Sequence, residues 1–145
     1  MSLRIAAVAP MIGLDTNVLV RYLAQDEARQ AALATRLIEE ELSVAAPGFI
    51  SLGVLAEMCW VLARLYGASH DELKSTVQDL LATPQFHLER RDVVQAAIGR
   101  PKRGKTAKAG FVDSLIAQTA LAEGCSHTVS LDKAAVREAG MVLLT

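Results

Sequence analysis

The stretch that decides the fold is residues 11–23, MIGLDTNVLVRYL. It opens with a short apolar run that ends at Asp15, which is typical of a buried strand. Residues 17–23 then place apolar side chains at the i, i+1, i+4, i+5 spacing of one helix face. The stretch therefore predicts a strand at 11–14 that leads directly into a helix, as in the first half of a β–α–β crossover.

The rest of the chain repeats this alternation of strands and helices. Further strands are predicted at 43–46, 86–88, 127–131 and 141–144. Helices are predicted at 17–23, 26–42, 51–66, 69–82, 92–99, 110–123 and 133–139. Because no hairpin turn signal joins two strands, helices must connect them, and the sheet must be mostly parallel. We expect an α/β fold, specifically a three-layer α/β/α sandwich with a mostly parallel central sheet.

Capping residues set the predicted helix starts. Asp26 and Ser51 are N-cap candidates, since their side chains accept hydrogen bonds from the first helical N–H groups. Ser69 with Glu72 fits the capping box. Asp92 with Gln95 three residues later fits the same pattern and predicts the start of a short helix.

Length and composition predict one aliphatic-cored domain. The chain has 145 residues, and we assign 11–145 to a single domain and 1–10 to a leader or start-site extension. Hydrophobic residues make up 52%, yet no apolar run reaches the roughly 18 residues of a membrane span. Aromatic residues are only 4%, which argues against a nucleic-acid platform built from a row of stacked rings.

Periodicity and apolar surroundings assign several residues to the core. Six residues are predicted on the inner faces of their helices: Leu33, Leu37, Ile38, Leu115, Ile116 and Leu121. Cys59 and Cys125 belong to no CxxC pair, so both are predicted as reduced core residues, which fits a cytoplasmic protein.

Positive charge is concentrated in one segment. Lys and Arg number 15 against 16 acidic residues, and five of the 15 lie between positions 100 and 108. They are Arg100, Lys102, Arg103, Lys105 and Lys108. A cationic segment on an otherwise acidic chain indicates a local anion contact, and a solvated loop is an equally weighted alternative.

Four carboxylates occupy positions that suit a shared site. Asp15 and Asp132 directly follow predicted strands, where ligands of parallel sheets bind, although each could simply cap a helix. Glu57 lies mid-helix on a stripe that we expect to face the core, where it would need a metal ion or an arginine such as Arg64. Asp113 lies in a first helical turn, where the helix dipole alone could explain it.

If these carboxylates converged, their mutual repulsion would favour a hard divalent cation such as Mg²⁺ or Mn²⁺. Such a cluster suits phosphodiester hydrolysis. Periodicity permits this convergence without proving it.

At this point the sequence resembles a known family, the PIN-domain ribonucleases, and within it the VapC-type toxins of bacterial toxin–antitoxin pairs. Four motifs carry the resemblance, in matching order and spacing from about Met11 to Thr145. They are LDTNVL at 14–19, LAE at 55–57 followed by WVL at 60–62, FVDSLIA at 111–117 and TVSLDK at 128–133.

The resemblance implies an Mg²⁺- or Mn²⁺-dependent endoribonuclease that acts as the toxin of a type II toxin–antitoxin system. By motif position, the catalytic and metal-binding acids would be Asp15, Glu57, Asp113 and Asp132. Asn17, Ser130 and Thr16 would be supporting polar residues, and the basic residues between 100 and 108 would contact RNA phosphates. The implied partners are an RNA substrate, a cognate antitoxin and a second copy of the chain in a homodimer, with no membrane.

Two positions depart from the family pattern. Leu131 stands where an aromatic residue is frequent, and Phe111 stands where relatives often carry a further acid. The first change affects only space filling, whereas the second could weaken metal occupancy.

Two other functions stay open at this stage. A PIN-like module could be catalytically inactive and bind only RNA or protein. An Asp-based phosphatase with Asp15 as nucleophile is less well supported. The pattern of such enzymes has a second acid two residues after the nucleophile, and this chain has Asn17 at that position. Trp60 is predicted as a core residue or a dimer contact rather than a residue that stacks on a base.

Overall fold

The computed structural model describes residues 10–100 and 110–145. The described residues fall into two compact units. The first unit lies within Met1–Met58 and Asp79–Glu89, and the second lies within Cys59–Gln78 and Arg90–Thr145.

Seven α-helices and five short strands alternate along the described residues. The helices are α1 Thr16–Ala24, α2 Ala28–Arg36, α3 Leu52–Tyr66, α4 His70–Ala82, α5 Arg91–Gly99, α6 Phe111–Ala122 and α7 Lys133–Ala139. The strands are β1 Ile12–Gly13, β2 Gly48–Ile50, β3 Phe86–Leu88, β4 Val129–Ser130 and β5 Val142–Leu143. A π-helical turn, Leu37–Glu41, continues α2, so the long helix predicted at 26–42 is present in two parts.

Every strand pair among the described residues is parallel, as predicted. In the first unit the sheet order is β1-β2-β3, with Ile12 opposite Gly48 and Gly48 opposite Phe86. In the second unit β4 pairs with β5. The hydrogen bond from Leu14 N to the Phe49 carbonyl, 2.9 Å, carries the β1–β2 pairing up to the residue before Asp15.

The strand predicted at 43–46 is wrong, because these residues form a turn. Ser43 N–H donates to the Ala46 carbonyl (3.1 Å), and Ala46 N–H donates to Ser43 Oγ (3.0 Å). The strand begins instead at Gly48. A Cβ at Gly48 would lie 2.7 Å from Leu14 Cδ1 and 2.8 Å from Leu42 Cδ1, so a larger residue there would require these two side chains to shift.

The capping predictions for α3 and α4 are confirmed. Ser51 Oγ accepts a hydrogen bond from Val54 N–H at 3.1 Å. Ser69 and Glu72 exchange the two reciprocal bonds of a capping box, each 3.1 Å long. The bond from Ser69 N–H lowers the pKa of the Glu72 carboxyl group.

The capping predictions for α2 and α5 are wrong. The N-cap of α2 is Glu27, whose carboxylate accepts from the N–H of Gln30, whereas Asp26 pairs with the Arg21 guanidinium at 3.2 Å. The helix α5 begins one residue before Asp92. In both cases the aspartate pairs with a nearby arginine, Asp26 with Arg21 and Asp92 with Arg90, and the capping pattern does not reveal these pairs.

Several residues predicted in the core are exposed. Leu33 is 62% exposed, and Ile116, Leu121 and Cys125 are also exposed. Leu115 and Ile38 are buried as predicted, and Leu37 is half-buried. Leu115 and Ile116 cannot both face the core, because adjacent residues of a helix point about 100° apart. Cys59 is buried as predicted.

Candidate functional site

Asp113 is the acid whose environment most favours a functional role. It lies in the first turn of α6 and is partly buried. Burial raises the pKa of its carboxyl group, and the negative charges of Asp132 and Glu138 raise it further. A hydrogen bond from the Gly110 backbone acts in the opposite direction. The structure thus brings Asp113 and Asp132 within electrostatic range of each other in the second unit, as a shared site requires.

Asp132 is held in place by its own backbone surroundings. It follows β4 and is the N-cap of α7, where Oδ1 accepts a hydrogen bond from Ala134 N–H at 2.9 Å. Its own N–H donates to Ser130 Oγ at 3.0 Å. The structural alternative, a helix N-cap, is therefore correct for Asp132, and it coexists with the charge that Asp132 presents to Asp113. Ser130 thus contacts the backbone of Asp132, and its supporting role toward a carboxylate or a metal stays a prediction.

Glu138 is a residue that the sequence analysis missed. It is only 9% exposed on α7, yet it carries a carboxylate that raises the pKa of Asp113. Arg137 Nη2 lies 3.7 Å from Glu138 Oε1. The signal was present in the sequence, since Glu138 follows Ala135 by three residues and precedes Ala139, and both alanines are buried.

Asp15 lies in the first unit, directly after the β1 region, and is exposed. It is the N-cap of α1, and its Oδ1 accepts a hydrogen bond from Thr16 N–H at 2.8 Å. The neighbouring Thr16 is buried, whereas Asn17 is exposed. The capping alternative is again correct, and a metal role for Asp15 stays a prediction.

The argument that placed Glu57 in the core is wrong, because Glu57 is exposed. The buried face of α3 runs through Leu55, Met58 and Leu62, one position away from the predicted stripe. The charge of an exposed glutamate stays hydrated, so burial does not oblige it to pair with a cation. Arg64, named as its alternative partner, lies over the ring of Trp60 instead. The role of Glu57 in a site stays a prediction that rests on its motif.

The first residue of the basic segment stabilises the second unit. Arg100 Nε donates to the Glu138 carbonyl at 3.0 Å, near the end of α7, where a cation also suits the helix dipole. The Arg100 carbonyl accepts a hydrogen bond from Lys74 Nζ at 2.6 Å. This guanidinium is therefore engaged in the fold, and the predicted contact with RNA phosphates is not needed to explain it. The other four basic residues, Lys102, Arg103, Lys105 and Lys108, lie outside the described residues.

The donor chemistry of Asp113 and Asp132 fits a hard divalent cation. Two repelling carboxylates offer oxygen ligands, which Mg²⁺ and Mn²⁺ prefer. A cation would offset both the burial of the Asp113 charge and its repulsion by Asp132, the two effects that raise the pKa of Asp113. Over residues 10–100 and 110–145, no group of three or more His, Cys, Asp and Glu side chains is arranged to hold a metal ion. The convergence of all four predicted acids accordingly stays a prediction.

Comparison with known families decides the identity of the fold. The family model of the PIN domain matches residues 12–140, which is most of the chain. The chain belongs to the PIN domain family. Proteins of this family are generally nucleases, that is, hydrolases. The predicted α/β class with parallel strands is confirmed, and membership is consistent with the predicted three-layer α/β/α arrangement of a PIN domain.

No curated protein matches the chain. Within the described part of the chain, none of the helices combines the length and the apolar character that crossing a membrane requires.

Proposed function

We propose that this PIN domain is an Mg²⁺- or Mn²⁺-dependent endoribonuclease and the toxin of a type II toxin–antitoxin pair. The observation that carries the proposal is the pair of carboxylates, Asp113 and Asp132, which lie close enough in one unit that the charge of Asp132 adds to the effect of burial in raising the pKa of Asp113. Family membership supports nuclease activity, and the four motifs that resemble VapC-type toxins support the finer assignment.

Asp113 and Asp132 would hold the cation, since both offer carboxylate oxygens in the same unit. Asp15 and Glu57 are proposed as further ligands from their motif positions alone. The chemistry that such an ion supplies when bound is activation of water and neutralisation of charge on the phosphodiester.

The contribution of the chain itself is to hold the two carboxylates in fixed directions. The Gly110 N–H orients the Asp113 carboxylate, and the Ala134 N–H orients that of Asp132. Preorganised ligands require little rearrangement during the reaction. In the proposed hydrolysis water attacks phosphorus and the bond from phosphorus to the 3′-oxygen breaks. The products are a 5′-phosphate and, once that oxygen takes up a proton, a 3′-hydroxyl group.

The decisive experiment is cleavage of a structured RNA pool with Mn²⁺, with EDTA, and by an Asp113→Asn variant. The variant keeps the size of the side chain and removes its charge, so it also reports contaminating nuclease. We expect cleavage that requires metal, is lost in the variant and leaves 5′-phosphate ends. Undiminished cleavage by Asp113→Asn would refute the assignment of the site.

The same preparations distinguish the other two functions. No cleavage, together with no thermal stabilisation by Mn²⁺, would indicate a catalytically inactive binding module. Release of inorganic phosphate from a small phosphoester without RNA cleavage would indicate a phosphatase.

The toxin role is tested by induced expression in bacteria. We expect growth arrest with the wild-type chain, none with Asp113→Asn at equal protein level, and relief when a cognate antitoxin is co-expressed. Growth arrest of equal strength by the variant would separate toxicity from nuclease activity and refute this part of the proposal. Light scattering of the purified chain tests the proposed homodimer.

A further inference from the structure

A small cavity of about 290 Å³ lies in the second unit beside Asp113. Its walls come from α3, α4 and the start of α6. The residues that matter for its chemistry are Trp60 and Arg64 of α3, Cys59 and Phe111 at its apolar floor, and Asp113 in its wall. The cavity therefore joins an apolar space to the carboxylate that the proposed function places at the reaction centre.

Trp60 presents its indole to this cavity. It is 56% exposed, so the prediction of a core position is wrong. The Arg64 guanidinium lies 4.4 Å from the centroid of the indole, a distance typical of a cation–π contact. The guanidinium and the indole therefore lie against each other at the edge of the cavity. Aromatic rings and guanidinium planes are the two protein groups on which unpaired nucleobases stack.

The floor of the cavity is apolar and uncharged. Cys59 and Phe111 are both buried, and burial raises the pKa of the Cys59 thiol to about 12, so the thiol is neutral at physiological pH. A neutral apolar floor suits the ring of a base. The volume of the cavity lies just below the roughly 300–1,000 Å³ found for small-molecule pockets, which favours a single nucleotide over a peptide helix.

We propose that this cavity is a nucleobase subsite, in which the nucleotide next to the cleaved phosphodiester stacks its base on the Trp60–Arg64 pair. The inference rests on the proposed function, because it takes the substrate to be single-stranded RNA. With the base at Trp60, the phosphodiester extends towards Asp113. The positive charge of Arg64 offsets the repulsion that this carboxylate exerts on the phosphate. One stacked base is also compatible with the low aromatic content of the chain.

Trp60 is the only tryptophan of the chain, so its fluorescence reports on the subsite directly. The probe is a single-stranded RNA hexamer of mixed sequence, titrated in EDTA at low salt so that binding is measured without cleavage. We expect saturable quenching of the Trp60 fluorescence. In parallel, anisotropy of a labelled hexamer gives affinities for the wild-type chain and three variants.

Trp60→Leu should weaken binding by about 5- to 150-fold, the range for loss of one stacked base. Trp60→Phe should retain most of the affinity, since it keeps an aromatic face. Leu65→Ala is the matched control, because Leu65 is exposed on the same helix and does not line the cavity, and it should bind as the wild type does. Unchanged melting temperatures would show that the variants fold.

Two results would overturn the subsite. One is an unchanged fluorescence together with wild-type affinity of Trp60→Leu. The other is a shift of Trp60→Leu from dimer to monomer in light scattering, which would assign this face to a second copy of the chain. Because the titration needs neither metal nor cleavage, quenching without cleavage would support the subsite while the proposed nuclease fails. Asp113-dependent cleavage without quenching would support the proposed nuclease and count against the subsite.

Discussion

Asp132 combines two functions that substitution can separate. Its carboxylate caps α7 by accepting from Ala134 N–H at 2.9 Å, and its charge acts on Asp113. Asparagine caps a helix about as well as aspartate does, whereas alanine cannot cap. We therefore predict that Asp132→Asn keeps the fold and loses nuclease activity, while Asp132→Ala loses both activity and stability.

The expected size of each effect follows from the contacts. Loss of the cap in Asp132→Ala should cost about 1 kcal/mol, in a range of roughly 0.5–2. For a chain of this length that corresponds to a decrease of about 4 °C in melting temperature. In Asp132→Asn the cap remains. Loss of the favourable charge at the helix N-terminus costs about 0.3–1 kcal/mol, and relief of the repulsion with Asp113 acts in the opposite direction. We expect this variant to melt close to the wild type.

The assay is thermal unfolding followed by circular dichroism at pH 7 in EDTA, with RNA cleavage in Mn²⁺ measured on the same samples. Ser130→Ala is a useful comparison, because it removes the acceptor of the Asp132 N–H without changing charge. The reasoning would be refuted if Asp132→Asn were as unstable as Asp132→Ala, since the cap would then not be the stabilising interaction. Wild-type cleavage by Asp132→Asn would refute its role as a metal ligand.

Three further predictions concern the second unit. Because the native pKa of Asp113 is raised, its ionised form destabilises the fold; this cost is absent below the ordinary aspartate pKa and develops as the pH rises through the native value. Asp113→Asn should therefore gain stability over the wild type at pH 7 in EDTA, and urea titrations should show that the gain disappears near pH 3. Mn²⁺ should raise the melting temperature of the wild type more than that of Asp113→Asn, as scanning fluorimetry would measure. Gly140 and Gly67 both have a positive φ (72° and 66°), so alanine at either position should lower the free energy of unfolding by about 1 kcal/mol through backbone strain. Gly140→Ala should lower it further, because its Cβ would lie 2.6 Å from Arg100 Nη2. Equal decreases for the two variants in urea unfolding would contradict this contact.

The order of elements and the parallel pairing could be predicted because both depend on local sequence. The Ser69–Glu72 capping box is encoded within four residues and was correctly identified. The strand at Gly48–Ile50 was misplaced because its position depends on pairing with β1 and β3, which are distant in the sequence. A short strand of three residues carries too little periodicity to reveal such a contact.

The candidate site was predicted in part for the same reason. Asp113 lies in the first turn of a helix and Asp132 follows a strand, both of which the sequence identifies, and the structure brings their charges together. Glu57 was misjudged because two apolar stripes run along α3, and only the tertiary contacts decide which one is buried. Glu138 was missed because it follows no strand and belongs to no motif. Its position between buried alanines nevertheless indicates a carboxylate on a buried helix face, which is what was wrongly predicted for Glu57.

Helix capping and a functional role are compatible for the aspartates of this domain. A carboxylate offers about four lone-pair positions, and the bond from Ala134 N–H to Asp132 uses one of them. The cap fixes the direction of the remaining positions, which lowers the entropic cost of binding an ion. A helix N-terminus after a parallel strand thus supplies an oriented carboxylate at the edge of the sheet where ligands bind. Sequence alone cannot separate the two roles because the same residue type at the same position serves both. What distinguishes a site from a simple cap is a second negative charge close by, and in this chain Asp113 provides it for Asp132.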